Sequence, residues 1–143
     1  MYPENAYSRF WYALILTYHH ENDKAFSIID NAAKENPDNV LTKLGLILKY
    51  VSQKNKEKAY QVMTPDFQKT CIRDASYSHH IAGFFALLNE RKEALDWLES
   101  AVNHSFFNYP LLAKDPFLDN IRGEERFKKL MERVEKEWEH FEV

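Results

Sequence analysis

Apolar side chains recur at three- and four-residue spacing along most of the chain, the period of helices with one buried face. Three stretches are apolar enough to be inner helices: Tyr7 to Tyr18, Val40 to Val51 and Ser76 to Leu88. Each ends in a short polar connection, "HHENDK", "QKNKEK" or "NERK", and a second helical segment follows. The pattern predicts helix, short turn, helix, repeated three times.

Small residues mark the repeat. In "ERKEALDWLESAV" Ala94 and Ala101 stand seven apart, about two helical turns, among Leu95, Trp97, Leu98 and Val102. In "DKAFSIIDNAAKENPDN" Ala25 and Ala32 stand seven apart, and "KEKAYQVM" carries Ala59. Ala25 and Ala59 are 34 residues apart, Ala59 and Ala94 35. Twelve residues before each first alanine stand Ala13, Ile47 and Ala82. Two antiparallel helices approach closely only where small side chains meet, so these alanines predict the contact line of each hairpin. A period of this length is the mark of stacked helical pairs.

The chain thereby resembles the tetratricopeptide repeat, a helix-turn-helix unit of 34 residues. The matching residues are Ala13, Ala25, Ala32 and Pro37, then Tyr50 and Ala59, then Ile81, Ala82, Phe85, Ala94, Leu98 and Ala101. The signature tryptophan of the first helix is absent from all three units. The resemblance implies an all-α superhelix of three divergent repeats, about residues 6–39, 40–74 and 75–108, with a C-terminal cap at 109–143, forming one domain. The middle unit departs from the pattern, since Asp66 stands where a second alanine belongs. There "MTPDF" should stop the helix, with Thr64 as N-cap and Pro65 opening a short extra helix to about Arg73.

The tail carries its own signals. Asp115 should cap a helix starting at Pro116 and ending near Gly123. A final helix should present Phe127, Leu130, Met131, Val134, Trp138 and Phe141 as one stripe. Its other face offers Glu124–Lys128, Glu125–Lys129 and Glu132–Lys136 at four-residue spacing. A stack of repeats needs such an end cap. Together, "TPDF…IRDASYSHHIAGFFALLNERKEALDWLESAV" and this tail are similar to C-terminal repeat regions of bacterial signalling and transcription-regulatory proteins. That likeness implies a regulatory or scaffolding part of a larger protein. At the other end, "MYPENAYSRFWYA" enters the first repeat without a cap, so the expectation is an upstream domain or a second copy of the chain. Met1 is native or added.

Composition narrows the choice. The chain has 143 residues, three glycines and a net charge of −3 with interspersed signs. No basic patch points to nucleic acid. No segment is long enough to span a membrane, and "FWYALILTY" lacks the flanks of a signal peptide. The lone Cys71 excludes an internal disulfide and fits a cytoplasmic protein. Gly-rich phosphate loops, GxSxG and HExxH are absent, so no enzyme, cofactor or metal site is expected. The pairs His19–His20 and His79–His80 fall at opposite ends of their helices, roughly 14 Å apart in register. Adjacent histidines on a helix also diverge by about 100°. For Asp115 and Asp119, capping and solvation suffice.

What remains is a binding surface for a protein or peptide, or for a second copy. In tetratricopeptide stacks the first helices line the concave face. By that rule the groove candidates are Tyr7, Phe10, Leu14, Thr17 and Tyr18, then Leu41, Leu44, Leu48, Val51 and Ser52, then Ser76, His79, Gly83, Ala86 and Leu87. Packing explains the first two sets equally well. The set lacks the lysine and asparagine cluster that clamps a terminal carboxylate. Phe10, Trp11 and Leu14 are the candidates for self-association.

Overall fold

The computed structural model describes residues 5–142, with side chains through His140. Every regular element among these residues is helical, and none of their helices is long and apolar enough to cross a membrane. Packing divides the chain into two units, Met1–Phe67 and Gln68–Val143. The boundary falls inside a short helix.

The first unit contains α1 (Ala6–Tyr18), α2 (Asn22–Glu35), α3 (Val40–Ser52) and α4 (Lys56–Val62). Asparagine side chains cap three of them: Asn5, Asn39 and Asn55 accept from the backbone N–H of Ser8, Leu41 and Lys58. Each cap satisfies a donor that the helix itself leaves open. Helix α1 packs on α2 and α3, and α3 packs on α4. The shared core holds Phe10, Leu14, Ile28, Ile29, Leu44, Ile47, Leu48 and Val51. Ala13, Ala25 and Ala59 have no exposed surface, as the contact-line reading requires. Gly45 extends that logic: a methyl group there would already touch Ile29 at 3.4 Å.

Helix α4 stops at Val62, and α5 (Pro65–Ile72) follows. Thr64 caps it as expected, its Oγ1 accepting from Phe67 N–H at 3.3 Å. Asp66 is exposed, so no second alanine contact forms in this hairpin.

The second unit contains α6 (Ala75–Leu87), α7 (Arg91–Asn103), α8 (Tyr109–Lys114), a 3-10 helix (Pro116–Ile121) and α9 (Glu125–Glu142). Helix α6 is sheathed by α7 and by the 3-10 helix. Every residue from Ser78 to Ala86 is buried. A side chain at Gly83 would meet Phe117 Cβ at 3.1 Å, so glycine admits the 3-10 helix at this closeness. Asn120 Nδ2 donates to Ala86 O at 2.9 Å and ties the end of α6 to the same segment. Asp115 caps the segment as expected, but the turn is tighter than an α-helix. Ala82, Ala94 and Ala101 have no exposed surface.

On α9, Phe127, Leu130 and Val134 are buried, while Met131 and Trp138 are half-buried. Phe141, the last position of the expected stripe, lies outside the described side chains, as Met1 lies outside the described residues. The charges of this segment reach between helices more than along it. Arg126 pairs with Asp96 at 2.7 Å and with Glu99, and Glu124 pairs with Arg91 at 3.2 Å. Arg133 donates to Asn103 at 2.7 Å. Helix α7 presents Asp96 and Glu99 to Arg126, while along α9 Lys128 pairs with Glu125 at 3.6 Å, three residues away rather than the expected four.

One backbone device recurs. His20, Lys54 and Asn89 have φ of 60°, 58° and 60°, the left-handed conformation. They are spaced 34 and 35 residues apart, the interval of the alanines. In each case the next N–H reaches back six residues, counting inclusively: Glu21 to Leu16 at 2.8 Å, Asn55 to Tyr50 at 2.8 Å, Glu90 to Phe85 at 3.0 Å. This is the Schellman closure of a helix C-terminus. Ser105, with φ of 73°, repeats it after α7.

Candidate functional site

The expected groove residues divide by exposure. On α1, Phe10, Leu14 and Thr17 are buried, whereas Tyr7 and Tyr18 are exposed. On α3, Leu44, Leu48 and Val51 are buried, and Leu41 and Ser52 are half-buried. On α6, His79, Gly83 and Ala86 are buried, Leu87 is half-buried and Ser76 is exposed. Packing within the units therefore claims Phe10, Leu14, Leu44, Leu48, His79 and Gly83, and removes them from a ligand's reach. Three helices with apolar residues all round have more candidate positions than surface.

The self-association set shifts by one residue step. Phe10 and Leu14 face the core, and only Trp11 keeps some surface. The outward apolar line of α1 is instead Tyr7, Trp11, Ile15 and Tyr18, with Tyr7 63% and Ile15 49% exposed. These positions follow one another at four- and three-residue spacing and share a face. Tyr7 and Trp11 meet edge to face, with ring centres 6.1 Å apart.

The second unit buries a polar cluster that the spacing of residues does not announce. His79 Nε2 lies 3.1 Å from Asp115 Oδ2, with side-chain exposures of 5% and 2%. Asp115 Oδ1 also accepts from Phe117 N–H at 3.0 Å. An ionised carboxylate only accepts, so with Asp115 ionised Nε2 is the donor of this bond. Arg122 encloses the same turn, donating to the carbonyl oxygens of Asp115 at 2.6 Å and Leu112 at 2.9 Å. The His79 ring stacks on Phe106 at 4.5 Å and 13°. His80 lies against Phe84 and is also buried. Burial, and then the neighbouring His79, lower the His80 pKa to about 3, so the ring is neutral. Asp115 is thus more than the cap its sequence position suggested. It fastens the 3-10 helix to α6 through His79. With both partners sealed from solvent, the pair is a structural tie. Exposed Asp119 pairs with Arg122 at 2.9 Å.

Phe106 joins this buried cluster to the surface. An open depression of about 690 Å³ is lined by Ser105, Phe106, Phe107, Asn108, Glu137, Trp138 and His140. The left-handed turn at Ser105 delivers the two phenylalanines, and Asn108 caps α8 by accepting from Leu111 N–H at 3.2 Å. The last turns of α9 supply the other wall. Paired phenylalanines in a connection, outside any helical period, were the available sign of this feature.

Among the described residues, no three His, Cys, Asp or Glu side chains gather as a metal would require. Cys71 is buried, its carbonyl oxygen accepting from Ser78 Oγ at 2.9 Å. Compared with family models, curated proteins and solved structures, the chain matches none.

Proposed function

We propose that the chain is a tetratricopeptide-like interaction module that binds a protein partner and performs no catalysis of its own. The observation that carries this reading is the recurring Schellman closure at His20, Lys54 and Asn89, in step with the buried alanines. A hairpin built three times at an interval of 34 to 35 residues is economical as a scaffold for surface, and these hairpins do not converge reactive groups on a solvent-open site. The likeness of the tail to regulatory repeat regions supports a role as the C-terminal regulatory part of a larger cytoplasmic bacterial signalling or transcription protein. Panning a random peptide library on the purified chain tests the binding role. Enriched peptides should bind saturably and perturb α1 or the Phe106–Trp138 depression in NMR spectra. No enriched binder after repeated rounds would contradict the proposal.

Self-association is the second reading, favoured by the outward line on which Tyr7, Ile15 and Tyr18 are exposed and Trp11 half-buried. Large contiguous apolar surface is uncommon on monomers. Sedimentation over a range of concentrations should show a dimer that Tyr7→Glu and Ile15→Glu dissociate. A wild type that stays monomeric at high concentration would end this reading.

A further inference from the structure

Resting on the interaction-module reading, we infer that the depression framed by Phe106, Phe107 and Trp138 receives the side chain of an arginine in a partner peptide. Phe106, Phe107 and Trp138 line a single concavity with one carboxylate, Glu137, and with His140, Ser105 and Asn108. A guanidinium is planar and weakly hydrated; it stacks on aromatic faces and pairs bidentately with a carboxylate. Tryptophan is the strongest aromatic partner for a cation, and Trp138 keeps part of its surface open.

The wall is already ordered. The Phe106 ring is held by its stack on His79, and His79 is held by Asp115. A preformed wall lowers the ordering cost of binding. Charge decides the sign of the guest. Glu137 is the one carboxylate of the lining, and Glu135 and Glu139 are exposed on the same last turns of α9, whose basic residues there are Lys136 and His140. Arg133, one turn earlier, is drawn toward α7 by Asn103 at 2.7 Å. An acidic guest would meet the Glu137 carboxylate. A purely apolar guest would strip water from Glu137 and offer nothing in return.

The test follows the indole N–H signals of Trp11, Trp97 and Trp138 in the full chain as Nα-acetyl-arginine amide is added. The matching citrulline derivative is the neutral isostere, and the glutamate derivative is the opposite charge. The Trp138 signal should move saturably while Trp11 and Trp97 stay. The citrulline derivative should bind at least about threefold more weakly, and Glu137→Gln should weaken arginine binding by about three- to tenfold. Glu137 is exposed, so that variant keeps the fold. Equal response to citrulline, preference for glutamate, or unchanged binding in Glu137→Gln would each overturn the assignment. Library peptides that lack basic residues and bind away from Trp138 would also overturn it while leaving the interaction module intact. A Trp138 response to arginine with no enriched peptide would support this site and remove the broader reading.

Discussion

Helices α1 and α6 open their hairpins in the same way and meet opposite fates. Both are thirteen residues long and strongly apolar, and both close through a left-handed residue followed by a six-residue hydrogen bond. Helix α6 is buried without a break from Ser78 to Ala86, histidines included, because the 3-10 helix covers the side that α7 leaves open. Within its own unit α1 has α2 and α3 as neighbours, and Tyr7, Tyr12, Ile15 and Tyr18 stay exposed. The hairpin rule fixes one face of each helix. What covers the other face decides whether apolar residues there become core or surface.

The largest predicted effects fall on the covered helix. His80 takes up a proton near its ordinary 6.5 when the chain is unfolded, but only near 3 when folded. Between those values the unfolded state holds more protons, so stability falls as pH drops through the window. The loss should be on the order of a few kcal/mol by the low end. Urea unfolding across pH 3 to 7 should show this slope, and His80→Gln should flatten it. Asp115→Ala removes both the cap and the partner of buried His79, and should cost about 3 kcal/mol. The more open counterpart in the first unit, Asp30→Ala, breaks a half-buried ion pair with Lys49 and should cost under about 1 kcal/mol. Similar losses at Asp115 and Asp30 would erase the contrast between covered and open surfaces.

Ala101 has no exposed surface against its neighbours in the second unit. Ala101→Leu should overpack that line and cost about 2 kcal/mol. Lys54→Val tests the shared turn, because a β-branched residue fits the left-handed conformation poorly; about 1 kcal/mol should be lost. At the small end, Ile15→Lys on the open face of α1 should change stability by no more than about 0.5 kcal/mol. Denaturant midpoints at constant slope would rank all three.

Local chemistry made much of this architecture legible in the sequence. Thr64 and Asp115 cap the elements they precede, as their places before a proline announced, and Asn39 and Asp74 do the same without having been singled out. The alanine interval located the hairpins because backbone proximity excludes larger residues. The turn conformations were hidden, since histidine, lysine and asparagine stand where glycine would have announced a positive φ. The tie between His79 and Asp115 was hidden too: 36 residues separate its partners, and nothing local links them. The outward line of α1 was misplaced by about 100°, the step between neighbours on a helix. On a segment apolar all round, periodicity cannot say which face is covered; Phe10 and Leu14 were as eligible as Tyr7 and Ile15.

Native-state hydrogen exchange on the full chain measures this contrast in covering most directly. Amides from Ser78 to Ala86 should exchange only when their unit unfolds completely. Amides on the open side of α1, at Trp11 and Ile15, should exchange through smaller openings, with free energies clearly below the global value. Equal protection in the two helices, or slower exchange in α1 than in α6, would contradict the account.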